Sequence, residues 1–256
     1  MDLGLAGRVA LVAGGTSGLG LAAATELARE GAHVSVCGRD ASRLAAAVSA
    51  LEDAGPGRVL GTVADVRSDG DVAGWVERTV TELGALHVVV TNSGGPPPGP
   101  VESFTVDDHR AALETALLPH VRIVLATLPH LRAAGWGRVL LVASETVRQP
   151  IASYGLSAES RLGLLGFARS LVRSLGDAGV TVNVLAPGYH RTPGLERQWG
   201  DRVDEELAAA AADIPLGRVG RPEEFGAVVA FLAGTRAAFV TGAVLLVDGG
   251  KTQGIG

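Results

Sequence analysis

The sequence predicts a doubly wound α/β domain, a parallel sheet of about seven strands with helices on both faces. Three observations carry this. Short β-branched runs alternate with longer, alanine-rich amphipathic runs along the 256 residues. The short runs are apolar almost without interruption, as in strands buried on both faces. No linker or charge run divides the chain, so residues 1–256 read as one domain of a size that single α/β domains reach.

Taken in order, the apolar run at 9–13 leads through a glycine-rich turn into an amphipathic helix over 19–30. A strand at 33–38 precedes a helix over 42–54, and a strand at 59–64 precedes a helix over 69–83. The strand at 86–91 is followed by a long helical pattern over 106–134. Strands at 138–143 and 181–185 flank a helix over 152–177, and a helix over 222–232 precedes the last strand at 243–247. The alanine tract at 208–212 reads as helix. Right-handed βαβ crossovers of this length give a parallel sheet covered on both sides. A closed barrel needs eight such units, one more than the chain displays. Pro119 falls inside the 106–134 pattern. It removes the bond to the Thr115 carbonyl at a cost of about 3 kcal/mol, so a kink beside Ala116 is expected there, the alternative being a plain helix break.

Composition excludes several classes. With 47% hydrophobic and 19% charged residues and a mean hydropathy of +0.29, the chain can bury a core and is not disordered. The single cysteine, Cys37, forms no internal disulfide and excludes a Cys-ligated zinc centre. No metal site is expected, and a reducing cytoplasmic location fits. A net charge of −5 with 4% aromatic residues argues against a nucleic-acid partner. The start carries acidic Asp2 and no basic segment before an apolar stretch, and no uninterrupted apolar run approaches the roughly 20 residues of a membrane helix. The expected partner is a small molecule.

Glycine is abundant, 36 of 256 residues, roughly twice the usual share, and its placement is informative. The first strand runs into AGGTSGLG, with Gly14, Gly18 and Gly20 spaced G-x-x-x-G-x-G ahead of a helix. Small residues let the backbone approach a pyrophosphate, and the helix N-terminus supplies free N–H groups and partial positive charge. The second strand ends in CGRD. An acidic residue at this point would bind both ribose hydroxyls, whereas Arg39 suits a 2′-phosphate and favours NADP(H) over NAD(H). The alternative for Arg39 is a solvated arginine opening a loop.

These motifs resemble the short-chain dehydrogenase/reductase family, and most closely its 3-oxoacyl-acyl-carrier-protein reductase type, over essentially the whole chain. AGGTSGLG is similar to that family's TGxxxGxG turn, with Ala13 in place of threonine. Ala64–Asp65–Val66 resembles its adenine-contacting pair, TNSGG its NNAG segment and PGYHRT its PGxxxT stretch. PLGRVGRPEEFGAVVAFLAG and VTGAVLLVDGG match its C-terminal pattern. The resemblance implies a Rossmann fold and a set of roles. Thr16, Ser17 and Leu19 would line the pyrophosphate and ribose, and Asp65 with Val66 the adenine. Asn92 and Gly94 would support the nicotinamide-side ribose, and Pro187, Gly188 and Thr192 the carboxamide and a phosphate. It also implies a homotetramer or homodimer, and a substrate lid near 193–213. Leu195 and Trp199 make that lid partly apolar, which points to a hydrophobic or ring-bearing substrate.

The family's catalytic set is where the pattern breaks. Ser144 fits its substrate-holding serine. At the family's spacings the tyrosine and lysine of Y-x-x-x-K fall on Ser157 and Arg161, and the helical asparagine falls on Ala116. Arg161 keeps a positive charge that can hold ribose or an oxyanion, but it is no acid at neutral pH. Ser157 has too high a pKa to be a good acid, though it can relay a proton through water. Tyr154, read as one helical turn before Ser157, together with His190 and His120, are the alternative proton donors, each with a packing role as its alternative. NSGGPPPG and the segment 148–150 resemble a divergent subgroup of the family that shares the Ser and Arg replacements. The reading is an atypical NADP(H)-dependent carbonyl reductase or alcohol dehydrogenase. Two alternatives stay open: a catalytically degenerate cofactor-binding protein, and the fold turned to a non-redox step such as dehydration or cyclisation.

Overall fold

A computed structural model describes residues 1–254. Seven parallel strands form one sheet: β1 (Val9–Val12), β2 (His33–Gly38), β3 (Val59–Val63), β4 (Val88–Thr91), β5 (Gly137–Val142), β6 (Val180–Pro187) and β7 (Val244–Val247). Their spatial order is β3-β2-β1-β4-β5-β6-β7. The chain therefore reverses direction across the sheet between β1 and β4, and this switch point opens a crevice at the carboxyl ends of the strands.

The strands are apolar throughout because alternate residues enter two different cores. Val88 and Val90 of β4, with Leu140 and Val142 of β5, meet α1 (Gly18–Arg29), α2 (Ala41–Ala54) and α9 (Pro222–Ala233). Val89, Val139 and Leu141 meet α3 (Asp69–Leu83), α5 (Leu118–Ala134) and α6 (Gly155–Leu175) on the other face. Side-chain caps set several helix starts. Asp40 accepts from Arg43 N at 2.9 Å to open α2. Thr105 and Asp108 form a reciprocal capping box at α4 (Val106–Ala116), satisfying N–H groups that a helix start otherwise leaves unpaired.

The long helix expected over 106–134 is two helices. Leu117 takes φ −118°, ψ −58° between them, and Pro119 sits in the first turn of α5, where its missing N–H breaks no intrahelical bond. Proline thus produces a break rather than the expected kink, and much of its cost is avoided. Taken as one span, 106–134 is long and apolar enough to cross a membrane. In the fold it is divided, and Ile123, Val124 and Leu131 of α5 are buried in the second core. The expected helix at 152–177 is shorter, because α6 begins only at Gly155 and Tyr154 is its N-cap with φ −131°, ψ 37°. The segment 193–213 folds as α7 (Pro193–Trp199), a short 3-10 turn and α8 (Val203–Ala212).

Candidate active site

A cleft of about 710 Å³ lies at the switch point, bounded by the β1–α1 turn, the ends of β2 to β6 and α7, within the size range of small-molecule sites. The glycine-rich turn is shaped by contacts that exclude side chains. Gly14 has φ +63°, and a Cβ there would fall 2.9 Å from Asn92 Nδ2. A Cβ on Gly20 would fall 2.2 Å from the Gly14 carbonyl oxygen. Gly20 therefore does not line the cleft as anticipated; it lets α1 approach the turn. Ser17 is the N-cap of α1, yet its side chain makes no capping bond. The cleft-facing start of α1 thus keeps donors free for an anion.

At the end of β2, Arg39 is exposed on the cleft rim and has no ion pair among the described residues. Arg43, from the first turn of α2, lines the same rim and lies 3.4 Å from Asp40. Beyond β3, the Asp65 carboxylate is held by Arg67, with Nη2–Oδ2 at 2.6 Å, which keeps its pKa down at about 2. Thr16, Ser17, Gly18, Leu19, Val66, Asn92, Gly94, Pro187, Gly188 and Thr192 also reach the cleft.

Ser144, Ser157 and Arg161 converge on the opposite end. Ser144 follows β5 and accepts from Thr146 N at 3.3 Å. Arg161 is almost fully buried. Its Nη1 donates to the Val142 carbonyl at 3.1 Å and its Nη2 to the Gly94 carbonyl at 3.4 Å, while Nε has no partner. No carboxylate pairs with it among the described residues. Burial lowers its pKa to about 10, which leaves it cationic at neutral pH. A buried guanidinium without a counter-ion is costly and marks where an anionic or electron-rich group is best received.

Of the expected alternative donors, Tyr154 and His190 line the cleft and His120 does not. Tyr154 is the N-cap of α6, and its carbonyl accepts from Ala158 N at 3.0 Å, so it opens the turn that carries Ser157. Its phenol accepts from Gln198 Nε2 of α7 at 3.0 Å. His190 is packed edge-on against Phe225 at 5.8 Å and presses on Gly220, with Nδ1 at 3.1 Å from the Gly188 carbonyl. Burial lowers its pKa. His120 lies wholly inside, with Nδ1 at 2.6 Å from Thr91 Oγ1 and Nε2 at 3.0 Å from Ser93 Oγ. Desolvation, then the Arg161 charge, lower its pKa to about 3.

Sequence reasoning missed Ser93, Glu145, Tyr189 and Lys251. Tyr189 stacks at a tilt on Trp199 with centroids 5.7 Å apart. Burial, and then the nearby Tyr154 phenol, push its pKa up. Glu145 is buried beside Ser144 and bonds Lys251 across 2.7 Å. That pair joins residues 106 positions apart, a separation no local motif announces. The replacement of alanine by Ser93 in the NNAG-like segment was the one available signal.

Residues 13–252 match the family model described as enoyl-(acyl carrier protein) reductase. The chain belongs to the short-chain dehydrogenase/reductase family. It is 36% identical to cis-4-hydroxycyclohexanecarboxylate dehydrogenase of Sinomonas cyclohexanicum, covering 98% of this chain and 99% of the relative. It is also 36% identical to the 3-oxoacyl-[acyl-carrier-protein] reductase of Pseudomonas aeruginosa, covering 97% and 98%. Among solved structures, L-sorbose reductase from Gluconobacter frateurii, complexed with NADPH and L-sorbose, superposes with a TM-score of 0.92 at 28% identity over all of both chains. These are likenesses across the whole length of the chain.

Proposed function

We propose that this short-chain dehydrogenase/reductase is an NADP(H)-dependent oxidoreductase that reduces a carbonyl, or oxidises the corresponding alcohol, on a small hydrophobic or ring-bearing substrate. One observation carries the reading. A dinucleotide-shaped cradle with an uncapped helix start and a free arginine faces, across the same cleft, a serine hydroxyl and a buried guanidinium that has no counter-ion. The residues fit the cofactor. Gly14 admits Asn92 and Gly20 lets α1 close on the turn, which brings the uncapped start of α1 to the cleft for a pyrophosphate, and Arg39 and Arg43 stand where a 2′-phosphate would need cations. Asn92, Gly94, Arg161, Pro187, Gly188 and Thr192 line its far half. The nicotinamide supplies hydride when bound. Relatives that act on a hydroxycyclohexane acid or are seen with NADPH support the same assignment.

In this reading Ser144 holds the substrate oxygen, and Arg161 stabilises the negative charge that develops on it. A fixed, buried cation acts there without reorganising. Ser157 lies one turn before Arg161 on α6 and relays the proton from water. Ring-bearing substrates fit the part of the cleft lined by Tyr189 and Leu195, while Trp199, which the lid reading counted on, packs against Tyr189 without lining the cleft. The protein is further proposed to be a cytoplasmic homo-oligomer without nucleic-acid or membrane partners. The single buried thiol, Cys37, with its pKa pushed up to about 12 by desolvation, supports the location. Exposed Leu125, Leu162, Phe239 and Leu245 support the assembly.

The test is nucleotide titration followed by turnover on a panel of ring ketones. NADPH should bind more tightly than NADH, and Arg39→Ala should shrink the difference by about tenfold, the worth of one charge-assisted contact. Equal affinities in the wild type would overturn the cofactor assignment. Nucleotide binding with no consumption of NADPH on any ketone would overturn the oxidoreductase.

A further inference from the structure

Glu145 immediately follows the substrate-holding serine and is buried, yet it lines the cleft. Its Oε1 accepts from Lys251 Nζ at 2.7 Å. Lys251 is the only lysine in the chain, and its ammonium also stands 4.5 Å from the centroid of the Tyr189 ring. The second carboxylate oxygen, Oε2, has no protein partner among the described residues and is not among the sealed unpaired atoms. It is therefore open to the cleft. Gly188 lies beside it: a Cβ there would come within 3.1 Å of Oε2 and within 2.7 Å of the Asp248 Cβ. Any side chain at 188 would crowd this oxygen.

A carboxylate oxygen in a confined, partly apolar cleft needs a donor, because leaving it unpaired forfeits its hydration. Lys251 already neutralises the charge of Glu145, so the pair calls for a neutral O–H or N–H donor rather than a second cation. A substrate carboxylate would meet Oε2 with like charge. Tyr189 and Leu195 add apolar surface to the same cleft. We propose that Glu145 Oε2, held by Lys251 and beside Gly188, is a specificity subsite for a hydroxyl carried on the substrate ring near the reacting carbonyl. Its substrates are then hydroxylated ring ketones or the matching diols. That the neighbouring carbonyl reacts rests on the oxidoreductase reading, whereas the subsite binds a hydroxyl whether or not hydride is transferred.

The experiment compares 2-hydroxycyclohexanone with cyclohexanone and with 2-methoxycyclohexanone, which keeps the oxygen but has no donor. Binding is measured by calorimetry on the full chain, with and without saturating NADP⁺. The hydroxy ketone should bind at least about tenfold tighter than both others, as a hydrogen bond to a charged group predicts. The paired change Glu145→Leu with Lys251→Met removes both charges together and should bring the three affinities within about twofold. Equal binding of the methoxy and hydroxy ketones by the wild type would overturn the subsite without need of any variant. So would a preference that survives in a folded double variant, or no measurable binding of any of the three. A hydroxyl preference without NADPH consumption would uphold the subsite and overturn the oxidoreductase instead.

Discussion

Arg161 stands at the position where the family's lysine is expected, and its surroundings explain why the exchange changes the chemistry. A lysine could grip ribose and lower the pKa of a neighbouring phenol, but here the neighbour is Ser157 and the nearest tyrosine is tied to Gln198. The guanidinium instead spends two nitrogens on backbone carbonyls and leaves its charge uncompensated. Arg161→Ala should therefore lower kcat/KM for ketone reduction by about 10²-fold, the usual loss on removing one oxyanion stabiliser, while thermal stability holds or rises as a buried charge is removed. Steady-state kinetics with a melting curve checks both. His120 carries a pH prediction. Its folded pKa of about 3 lies below the usual value near 6.5, so between the two the unfolded chain binds the extra proton. Its contribution is present above about pH 6.5 and is lost progressively as pH falls toward 3. Relative to wild type, His120→Gln should gain about 2–3 kcal/mol in unfolding free energy on going from pH 7 to pH 4.5. Urea titrations at the two pH values measure this, and an unchanged difference would contradict it.

Elements were legible in proportion to how locally they are specified. The strands could be read because burial on both faces makes the whole run apolar, as in Val88–Thr91 with every residue buried. The β1–α1 turn could be read because close backbone approach permits only glycine at Gly20. The α4–α5 break was half legible: Pro119 announced a disturbance, but only packing decides whether a proline bends a helix or restarts it. The start of α6 was not legible, since the backbone before Gly155 is bridged to Gly99, 55 positions from Tyr154. These differences yield opposite outcomes for one type of substitution. Gly20→Ala would drive a Cβ to 2.2 Å from the Gly14 carbonyl, so it should abolish nucleotide binding and cost upwards of about 2 kcal/mol. Gly74→Ala, on the exposed face of α3 with nothing within 4 Å of the added carbon, should stabilise by about 0.5–1 kcal/mol through helix propensity. Denaturant midpoints and nucleotide titration separate the two.

For the molecule as a whole, the cofactor half of the cleft was readable, and of the substrate half Ser144, Tyr154, Ser157, Arg161 and His190 were readable but their long-range partners were not. The cofactor half is built from short segments at strand ends, each with its own signature. The substrate half is assembled from distant residues, such as Glu145 with Lys251 and Tyr154 with Gln198. The same distinction governs assembly, because no local motif states what covers a surface. Phe239 is fully exposed just before β7, Leu245 on that edge strand is partly exposed, and Leu125 and Leu162 are exposed on α5 and α6. Burying one such phenylalanine is worth about 1.5–3 kcal/mol per copy, and in a two-fold interface each residue counts twice. Phe239→Asp removes that gain and places a charge in the contact, while disturbing no core contact of its own chain. Light scattering should give a smaller assembly for the variant than for the wild type, with an unchanged circular dichroism spectrum. A variant of the same mass as wild type would move the interface away from the β7 edge, and a monomeric wild type would remove the assembly altogether.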